Sequence, residues 1–597
     1  MPTTIEVNKQ SVEALLGSGK SKPFVIPEYQ RPYAWTDEQV ETLFEDLWDF
    51  TATSGGTERE SSYFLGSVVS YENEDGEQEI IDGQQRITSL FLLLRAIYTK
   101  LIATPASERT AEANNFIGKI EPTIWRTNKL TGMVDFKNIL LTSRVVNNEG
   151  NEILRSILET GKADEDAKDN YSKNYRHFQK LFDKHSTENP LMVYQFIYAL
   201  LNQAILLPIT ADTQDTALTI FSTLNDRGLP LSDADIFKAK IYNQLAPDDK
   251  KVFIDRWKDL DEQSTDANES IQQLFYYNMF YYRARDKDTK TTTPGVRKYY
   301  AVNKFERLYK PELLDTLFVI LNLWKVVNKG EELEDEAWSK NIKIRQTLDI
   351  LTSYPNEYWK YPVVIYYVCY RNEENFETRF ARFLNKLLME LMTKYLMIPT
   401  INAVKPDILK LNSAIVASDI PTFEFKTVDM TQLEPYIQNP NRNAVRMLLK
   451  TLAYEHQDDL LPAKWEIEHI FPQKWQTNYF PDEPDATIKE RIEHIGNKLP
   501  FEKKLNIVAG NGYFGKKKKE YTASEIVITK AMGTSDVMDW NLESITKRDI
   551  RVSDEVVKIM NRWNNEYLNI SISEGKMGEP SEEELAQIEK FKKNGWI

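Results

Sequence analysis

The sequence has 597 residues and a mass of 69.6 kDa, which is enough for several domains with substantial hydrophobic cores. No apolar run approaches the roughly 18 residues of a membrane span, and residues 1–6 lack the features of a signal peptide, so we expect a cytoplasmic protein without membrane association. The single cysteine, Cys369, excludes an internal disulfide and a cysteine-based zinc cluster. The net charge of −15 argues against a general nucleic-acid coat protein but not against a nuclease, because local patches govern binding.

The N-terminal part is predicted to alternate short strands and helices. The apolar patterns predict strands at residues 4–7, 23–26, 63–69 and 79–81, and helices at residues 11–16, 36–48 and 87–103. The glycine-rich residues 17–21 resemble the end of a P-loop, but Ala14 stands where the full pattern requires glycine. We therefore interpret residues 17–21 as a turn.

A more informative turn joins the strand at 79–81 to the following helix. Its residues are Asp82, Gly83, Gln84, Gln85 and Arg86. Free backbone N–H groups and the helix dipole would point outward from this turn, Gly83 would permit close approach, and Arg86 could grip a phosphate with two hydrogen bonds. Asp82 could bind a bridging cation, and the glutamines could position a ligand. The alternative is a capped turn with a surface Arg–Asp pair.

Two other segments offer polar side chains of the same kind. Residues 26–35 contain two prolines that fix an extended path, from which Tyr29, Gln30 and Arg31 are presented. Residues 221–232 place Asn225 and Arg227 at the end of one predicted helix, just before the next. Turn chemistry alone would explain each segment taken singly.

The pattern from about residue 110 to residue 455 is predicted to be overwhelmingly helical. Aromatic residues at 274–282 form a stripe, which we interpret as core rather than as a base-stacking platform. We predict four regions: an N-terminal domain (1–245), a helical middle (246–440), a C-terminal domain (441–570) and a tail (571–597) in which a linker-like stretch at 571–580 precedes a short helix.

The strongest catalytic pattern begins at Glu468 and His469, after a predicted strand. A single-metal ββα nuclease finger needs a histidine that deprotonates water, oxygen ligands for a divalent ion and an asparagine that pins the histidine loop. We assign His469 as the general base, Glu468 and Asn506 as metal ligands, and Asn497 as the residue that orients the hairpin. Lys516 is predicted to contact the phosphate. Oxygen ligands favour Mg²⁺ or Mn²⁺ over zinc.

Two alternatives accompany this assignment. His494 repeats the Ile-Glu-His-Ile context, but the proline and the downstream spacing belong to His469, so we prefer His469. The second alternative is that His469 is an ordinary hairpin histidine with satisfied hydrogen bonds. Nearby, residues 498–520 hold seven lysines against two glutamates, which predicts a phosphate-facing surface.

These motifs together resemble the GmrSD family of modification-dependent (type IV) restriction enzymes. The similar segments are Ile-Pro-x-Tyr-Gln-Arg, Phe-Leu-Gly, Asp-Gly-Gln-Gln-Arg and Asn-x-Arg-Gly across residues 26–240, and Glu-His-Ile-x-Pro-Gln, Gly-Asn-x-Leu and Phe-x-x-Lys near the C-terminus. The resemblance implies a ParB-like α/β nucleotide-binding core, a helical middle and an HNH-type ββα-metal domain, within a predominantly helical α+β chain. Leu499-Pro500-Phe501 departs from the family's Leu-Leu and puts the second strand's path in question.

We therefore expect an NTP-stimulated, metal-dependent endonuclease that cleaves modified phage DNA. The expected cofactors are Mg²⁺ or Mn²⁺ and a nucleoside triphosphate (GTP, ATP, UTP or CTP), and the expected partner is double-stranded DNA with base or backbone modifications. A homodimer is left open. The rivals are a regulatory DNA-binding protein that senses nucleotide without turnover, and a general nuclease toxin.

Overall fold

The computed structural model describes residues 6–54, 61–128, 130–145, 148–214, 216–218, 220, 232–426, 428–475 and 483–573. The chain divides into two compact units, Met1–Asp259 and Leu260–Ile597. The described chain is mostly helical with a small mixed sheet, which confirms the predicted class, a predominantly helical α+β chain. No helix among these residues is both long and apolar enough to span a membrane.

The first unit is built on a mixed sheet. Its strands are β1 (Glu6–Val7), β2 (Gln10–Ser11), β3 (Phe24–Ile26), β4 (Tyr63–Glu72), β5 (Gln78–Asp82), β8 (Leu141–Ser143) and β9 (Ala204–Ala211), while β6 (Trp125–Thr127) and β7 (Val134–Ile139) form a separate hairpin. The order is β1-β9-β4-β5-β3-β8, with β2 also on β9. β4 pairs in parallel with β9 and antiparallel with β5, and β3 is parallel to both its neighbours.

The first unit also contains helices, of which those within residues 12–201 share a large hydrophobic core with the sheet. The helices are α1 (Val12–Ser18), α2 (Asp37–Ser54), α3 (Gln84–Ala103), α4 (Ala111–Ile124), α5 (Asn148–Thr160), α6 (Asn170–Glu188), α7 (Val193–Tyr198), α8 (Asp233–Gln244) and α9 (Pro247–Asp266), the last crossing into the second unit. Fifteen residues of α3 are buried, so α3 is the central helix of this core. That burial fixes the helix start, and with it the turn at 82–86.

The sheet corrects the prediction that residues 110–455 are helical almost throughout. β9 lies beside β4 within the sheet, and three further strands, β6 to β8, also fall in that range. β9 is a nearly continuous apolar run, and such a run cannot be distinguished from a buried helix by its periodicity.

The second unit begins with a helical region. Its helices are α10 (Ile271–Arg285), α11 (Val296–Tyr300), α12 (Leu313–Lys329), α13 (Ile342–Thr352), α14 (Lys360–Tyr370), α15 (Phe376–Met397), α16 (Lys405–Ala417), α17 (Glu434–Gln438) and α18 (Val445–His456). Most aromatic and apolar side chains of residues 274–282 are buried in α10. This confirms that the stripe is core.

A two-stranded hairpin follows, surrounded by helices. Strands β10 (Trp465–His469) and β11 (Lys498–Glu502) are antiparallel, with His469 opposite Lys498. The helices are α19 (Asp485–Ile492), α20 (Lys503–Ala509), α21 (Phe514–Thr522), α22 (Val527–Thr534) and α23 (Leu542–Ser573). A small apolar core that includes Phe471, Leu499 and Phe514 joins the hairpin to its helices.

Some predicted features lie outside the described residues. They include residues 4–5 of the first strand, Asn225 and Arg227 of the 221–232 segment, and residues 574–597 with the predicted tail helix. Residues 571–573, predicted as the start of a linker, belong to α23.

Candidate functional site

The turn at residues 82–86 leaves a helix N-terminus open. Gly83 is the residue before α3 and has φ +89°, a left-handed conformation that glycine tolerates best. A Cβ at Gly83 would lie 3.1 Å from the carbonyl oxygen of Ser67. Among the residues that the structure describes, no side chain caps the 20-residue helix α3. Its first N–H groups are therefore available to an anion, and the helix dipole favours one there.

Arg86, the last residue of this turn, lies in the first turn of α3. Its Nη1 donates to the carbonyl of Ser67 at 3.0 Å, and Gly66, with φ +115°, makes room because a Cβ there would lie 2.9 Å from the guanidinium. Burial lowers the pKa of Arg86, and burial raises the pKa of Asp82 although Arg86 and Arg31 oppose that rise. A partly buried cation at a helix N-terminus suits a phosphate.

Two glutamines of the turn fix the neighbouring segment rather than point into open space. Gln85 accepts from the backbone N–H groups of Ala34 and Trp35 at 2.7 and 3.2 Å, and it donates to a backbone carbonyl at 3.1 Å. Gln84 donates to the carbonyl of Arg31 at 3.3 Å. Both side chains are buried. They hold residues 31–35 against the start of α3.

The same segment is tied to β5. Gln30 donates to the carbonyl of Ile81 at 3.0 Å, and the hydroxyl of Tyr29 donates to Glu79 at 3.3 Å. Burial raises the pKa of Tyr29 well above its usual value. Arg31 is exposed. The structure thus brings 29–31 and 82–86 together, with Arg31 and Arg86 as the cations near Asp82.

The second candidate site is centred on His469 at the end of β10. Its Nε2 lies 3.4 Å from Oε1 of Glu493 and 3.4 Å from Nε2 of Gln473. Nζ of Lys498, the residue opposite His469 in the hairpin, lies 2.8 Å from Oε2 of Glu493. Burial lowers the pKa of His469, although Glu493 opposes the change. A neutral imidazole is the form that can accept a proton from water.

Glu468 points to the other side of the strand. Its Oε1 lies 2.7 Å from Nζ of Lys517 and accepts from the hydroxyl of Tyr521 at 2.6 Å. Lys517 also donates to the carbonyl of His469 at 2.5 Å. Burial lowers the pKa of Lys517 and raises the pKa of Tyr521, while Glu468 opposes the first change and adds to the second. Lys517 therefore fixes the end of β10 through the Glu468 side chain and the backbone carbonyl of His469.

Asn497 pins the chain that follows the histidine. Its Oδ1 accepts from the N–H of Phe471 at 2.7 Å, and its Nδ2 donates to the carbonyls of Phe471 and Ile492 at 3.1 and 3.0 Å. Asn497 is completely buried. One amide side chain therefore joins the residues after β10 to the end of α19.

His494 occupies a different environment. Its Nδ1 lies 2.8 Å from Oδ2 of Asp549, and Oδ1 of Asp549 accepts from the N–H of Gly496 at 2.7 Å. Arg548 donates to the carbonyls of the same turn, and burial lowers the pKa of Arg548 to about 10. His494 is part of a buried clamp between α23 and the Gly-Asn turn, so its geometry is that of a structural residue.

The other predicted residues lie on the helices after the hairpin. Asn506 is half-buried on α20, which packs against both strands. Lys516 is exposed on α21, whereas its neighbour Lys517 makes the buried contacts with Glu468 and His469. The sequence reasoning missed Lys517 although the Phe-x-x-Lys spacing, counted from Phe514, ends on it. It also missed Glu493, although this residue is the glutamate of the second Ile-Glu-His-Ile segment, at residues 492–495.

Comparison with known protein families places both sites within recognised domains. Residues 12–242 match the model of the GmrSD restriction endonuclease N-terminal domain, and residues 429–552 match that of the GmrSD restriction endonuclease C-terminal domain. The chain belongs to the GmrSD restriction endonuclease family. The turn at 82–86 lies in the first match and His469 in the second. No curated protein matches the sequence.

Family membership makes this GmrSD chain a restriction endonuclease with DNA as its substrate. A metal ion near His469 would need ligands from the side chains around the hairpin. Within the described ranges, no group of three His, Cys, Asp or Glu side chains could hold an ion without other ligands. Mg²⁺ needs fewer protein ligands than three, because it keeps several waters and binds one or two carboxylates together with substrate phosphates. Glu493 lies beside His469, whereas the buried carboxylate of Glu468 is already occupied by Lys517 and Tyr521 on the other side of the strand, so Glu468 would have to leave these partners to bind such a cation.

Proposed function

We propose that this GmrSD chain is an NTP-stimulated, divalent-metal-dependent endonuclease of the HNH type that restricts modified phage DNA. The observation that carries the nuclease part is the position of His469, at the end of a hairpin in the family's C-terminal domain. Its ring is half-buried next to a carboxylate, Lys517 donates to its backbone carbonyl, and Asn497 accepts from the N–H of Phe471, two residues further on. This is the environment of a fixed base rather than of a surface histidine.

In the proposed reaction His469 takes a proton from the attacking water. Glu493, near Nε2, favours a proton on that nitrogen and leaves Nδ1 to act as the base. Lys517 holds the backbone carbonyl of the histidine, Asn497 holds the chain at Phe471, and exposed Lys516 contacts the DNA backbone. A bound Mg²⁺ or Mn²⁺ would stabilise charge on the scissile phosphate, and Asn506, together with Glu468 once released from Lys517, would hold it.

The N-terminal unit is proposed to bind and hydrolyse a nucleoside triphosphate in a ParB-like core. The open N-terminus of α3, preceded by Gly83, supports a phosphate position, and Arg86 supplies an adjacent cation. Arg31 is held near Asp82 because Gln84 and Gln85 fix its segment. The family resemblance implies that Asn225 and Arg227 provide additional contacts to the nucleotide.

One assay separates this proposal from its rivals. Purified protein is incubated with Mg²⁺ and with plain, hydroxymethylated, glucosylated or phosphorothioated duplexes, with and without each NTP. We expect cleavage of one modified class, stimulated by one NTP. Cleavage of plain DNA regardless of NTP would indicate a general nuclease. Binding without cleavage under every condition would indicate a regulatory protein.

A further inference from the structure

Helix α20 carries two adjacent, strongly exposed aliphatic side chains beside the nuclease hairpin. Ile507 is 71% and Val508 is 62% exposed. Isolated exposed apolar residues are common on protein surfaces and need no explanation. An adjacent aliphatic pair on the helix that also carries Asn506, packed against the strand of His469, is a more specific arrangement.

The spacing of α20 separates a buried face from an exposed one. Leu505 and Ala509, four residues apart, pack into the small apolar core that joins the hairpin to its helices. Lys504, Ile507 and Val508 follow the i, i+3, i+4 pattern and lie together on the exposed face. The aliphatic pair is therefore not a poorly packed part of the core.

The surroundings of this pair are positively charged. Exposed lysines lie on α20 and on the neighbouring helix α21: Lys503, Lys504, Lys516 and Lys519. The nearest described carboxylate to Lys503 is that of Glu466, at 3.9 Å. Lysines around an aliphatic centre complement a polyanion whose interior is apolar, and duplex DNA has that combination of phosphates and stacked bases.

We propose that Ile507 and Val508 form an apolar wedge that enters bound DNA from the minor groove and unstacks a base step next to the cleavage site. The inference rests on the proposed nuclease function and adds to it a means of distorting the substrate. Aliphatic wedges flanked by basic side chains unstack and kink DNA in this way. The distortion would use binding energy to bring the scissile phosphate to His469.

The test measures unstacking directly, without cleavage. In His469→Ala protein, duplexes carry 2-aminopurine at successive steps around the mapped cleavage site, since this base fluoresces more strongly when unstacked. We expect binding to raise fluorescence at one step, and Ile507→Ala/Val508→Ala to reduce that rise at least about fivefold. In the protein with His469 intact, the double variant should lower kcat about tenfold with KM changed less than about threefold.

Val537 and Met538 supply a matched control, because they are an adjacent exposed pair (37% and 84%) on the segment between α22 and α23. Val537→Ala/Met538→Ala should leave the fluorescence rise and kcat unchanged. Thermal melting of each variant checks whether the protein stays folded, and we expect melting temperatures close to that of the wild type. Lys504→Gln should weaken DNA binding and lower the salt slope by about 1.

Three results would overturn the wedge. If the double variant kept the full 2-aminopurine signal and the full kcat, the wedge proposal would be rejected. Cleavage that still depended on His469 would leave the nuclease proposal intact. Loss of a dimer in sedimentation of Ile507→Asp, with DNA unstacking intact, would assign the pair to a second copy of the chain. If wild-type protein bound and cleaved no duplex, both proposals would fail.

Discussion

The carboxylate of Glu468 lies 2.7 Å from the ammonium of Lys517, and both side chains are almost completely buried. Breaking a buried ion pair from one side leaves an uncompensated charge in the interior. The cost is greater than that of losing a surface pair. Because Lys517 also binds the backbone of His469, this pair links the stability of the hairpin to the position of the proposed base.

Lys517→Met should therefore destabilise the nuclease hairpin. We expect a loss of about 3–5 kcal/mol in the free energy of unfolding, measured by denaturant titration. Lys516→Met is the control, because Lys516 is exposed and should change stability by less than about 0.5 kcal/mol. Equal effects of the two substitutions would show that the buried pair does not hold the hairpin.

Glu493→Gln should impair catalysis without unfolding the protein. Its carboxylate lies next to Nε2 of His469 yet is half exposed, so its removal disturbs the histidine more than the core. We expect a fall in kcat of about 10–100-fold, as for other groups that orient a catalytic histidine, with partial rescue in Glu493→Asp. Glu490→Gln, exposed on helix α19, which ends at Ile492 just before Glu493, should leave kcat unchanged. Unchanged kcat in Glu493→Gln would remove this residue from the site.

Asp549→Ala should act on stability instead. It removes the partner of His494 and of the Gly496 N–H, which are buried, so we expect a loss of about 1–3 kcal/mol. Cleavage per folded molecule should persist. Asp554→Ala, exposed on the same helix, is the control and should change neither property. Loss of cleavage with unchanged stability would make the His494–Asp549 pair catalytic.

Arg86→Lys should reduce NTP hydrolysis by at least about tenfold, because a lysine keeps the charge but not the two-pronged grip on phosphate. Hydrolysis is measured as phosphate release, and nucleotide binding is measured separately by calorimetry. Arg126→Lys is a matched substitution at an exposed position of the same unit and should have no effect. Phosphate release at the wild-type rate in Arg86→Lys would exclude Arg86 from the phosphate site.

Local sequence rules predicted a helix at 87–103 directly after the turn, where the structure has Gln84–Ala103, and the strand before His469, since turns and short apolar runs are encoded within a few residues. They failed at β9, whose apolar run is explained only by its sheet partners. They also missed the partners of Glu468 and His469. Lys517 and Glu493 approach these residues from helices about 24–50 positions away, and only the fold reveals such proximity.

The most direct test of the central claim compares His469→Ala with His494→Gln. Each variant is incubated with Mg²⁺ and the duplex that the wild type cleaves, and the products are measured per folded molecule. We predict that His469→Ala abolishes cleavage while its melting temperature stays close to that of the wild type, and that His494→Gln still cleaves. Cleavage that survives in His469→Ala but is lost in folded His494→Gln would contradict the account.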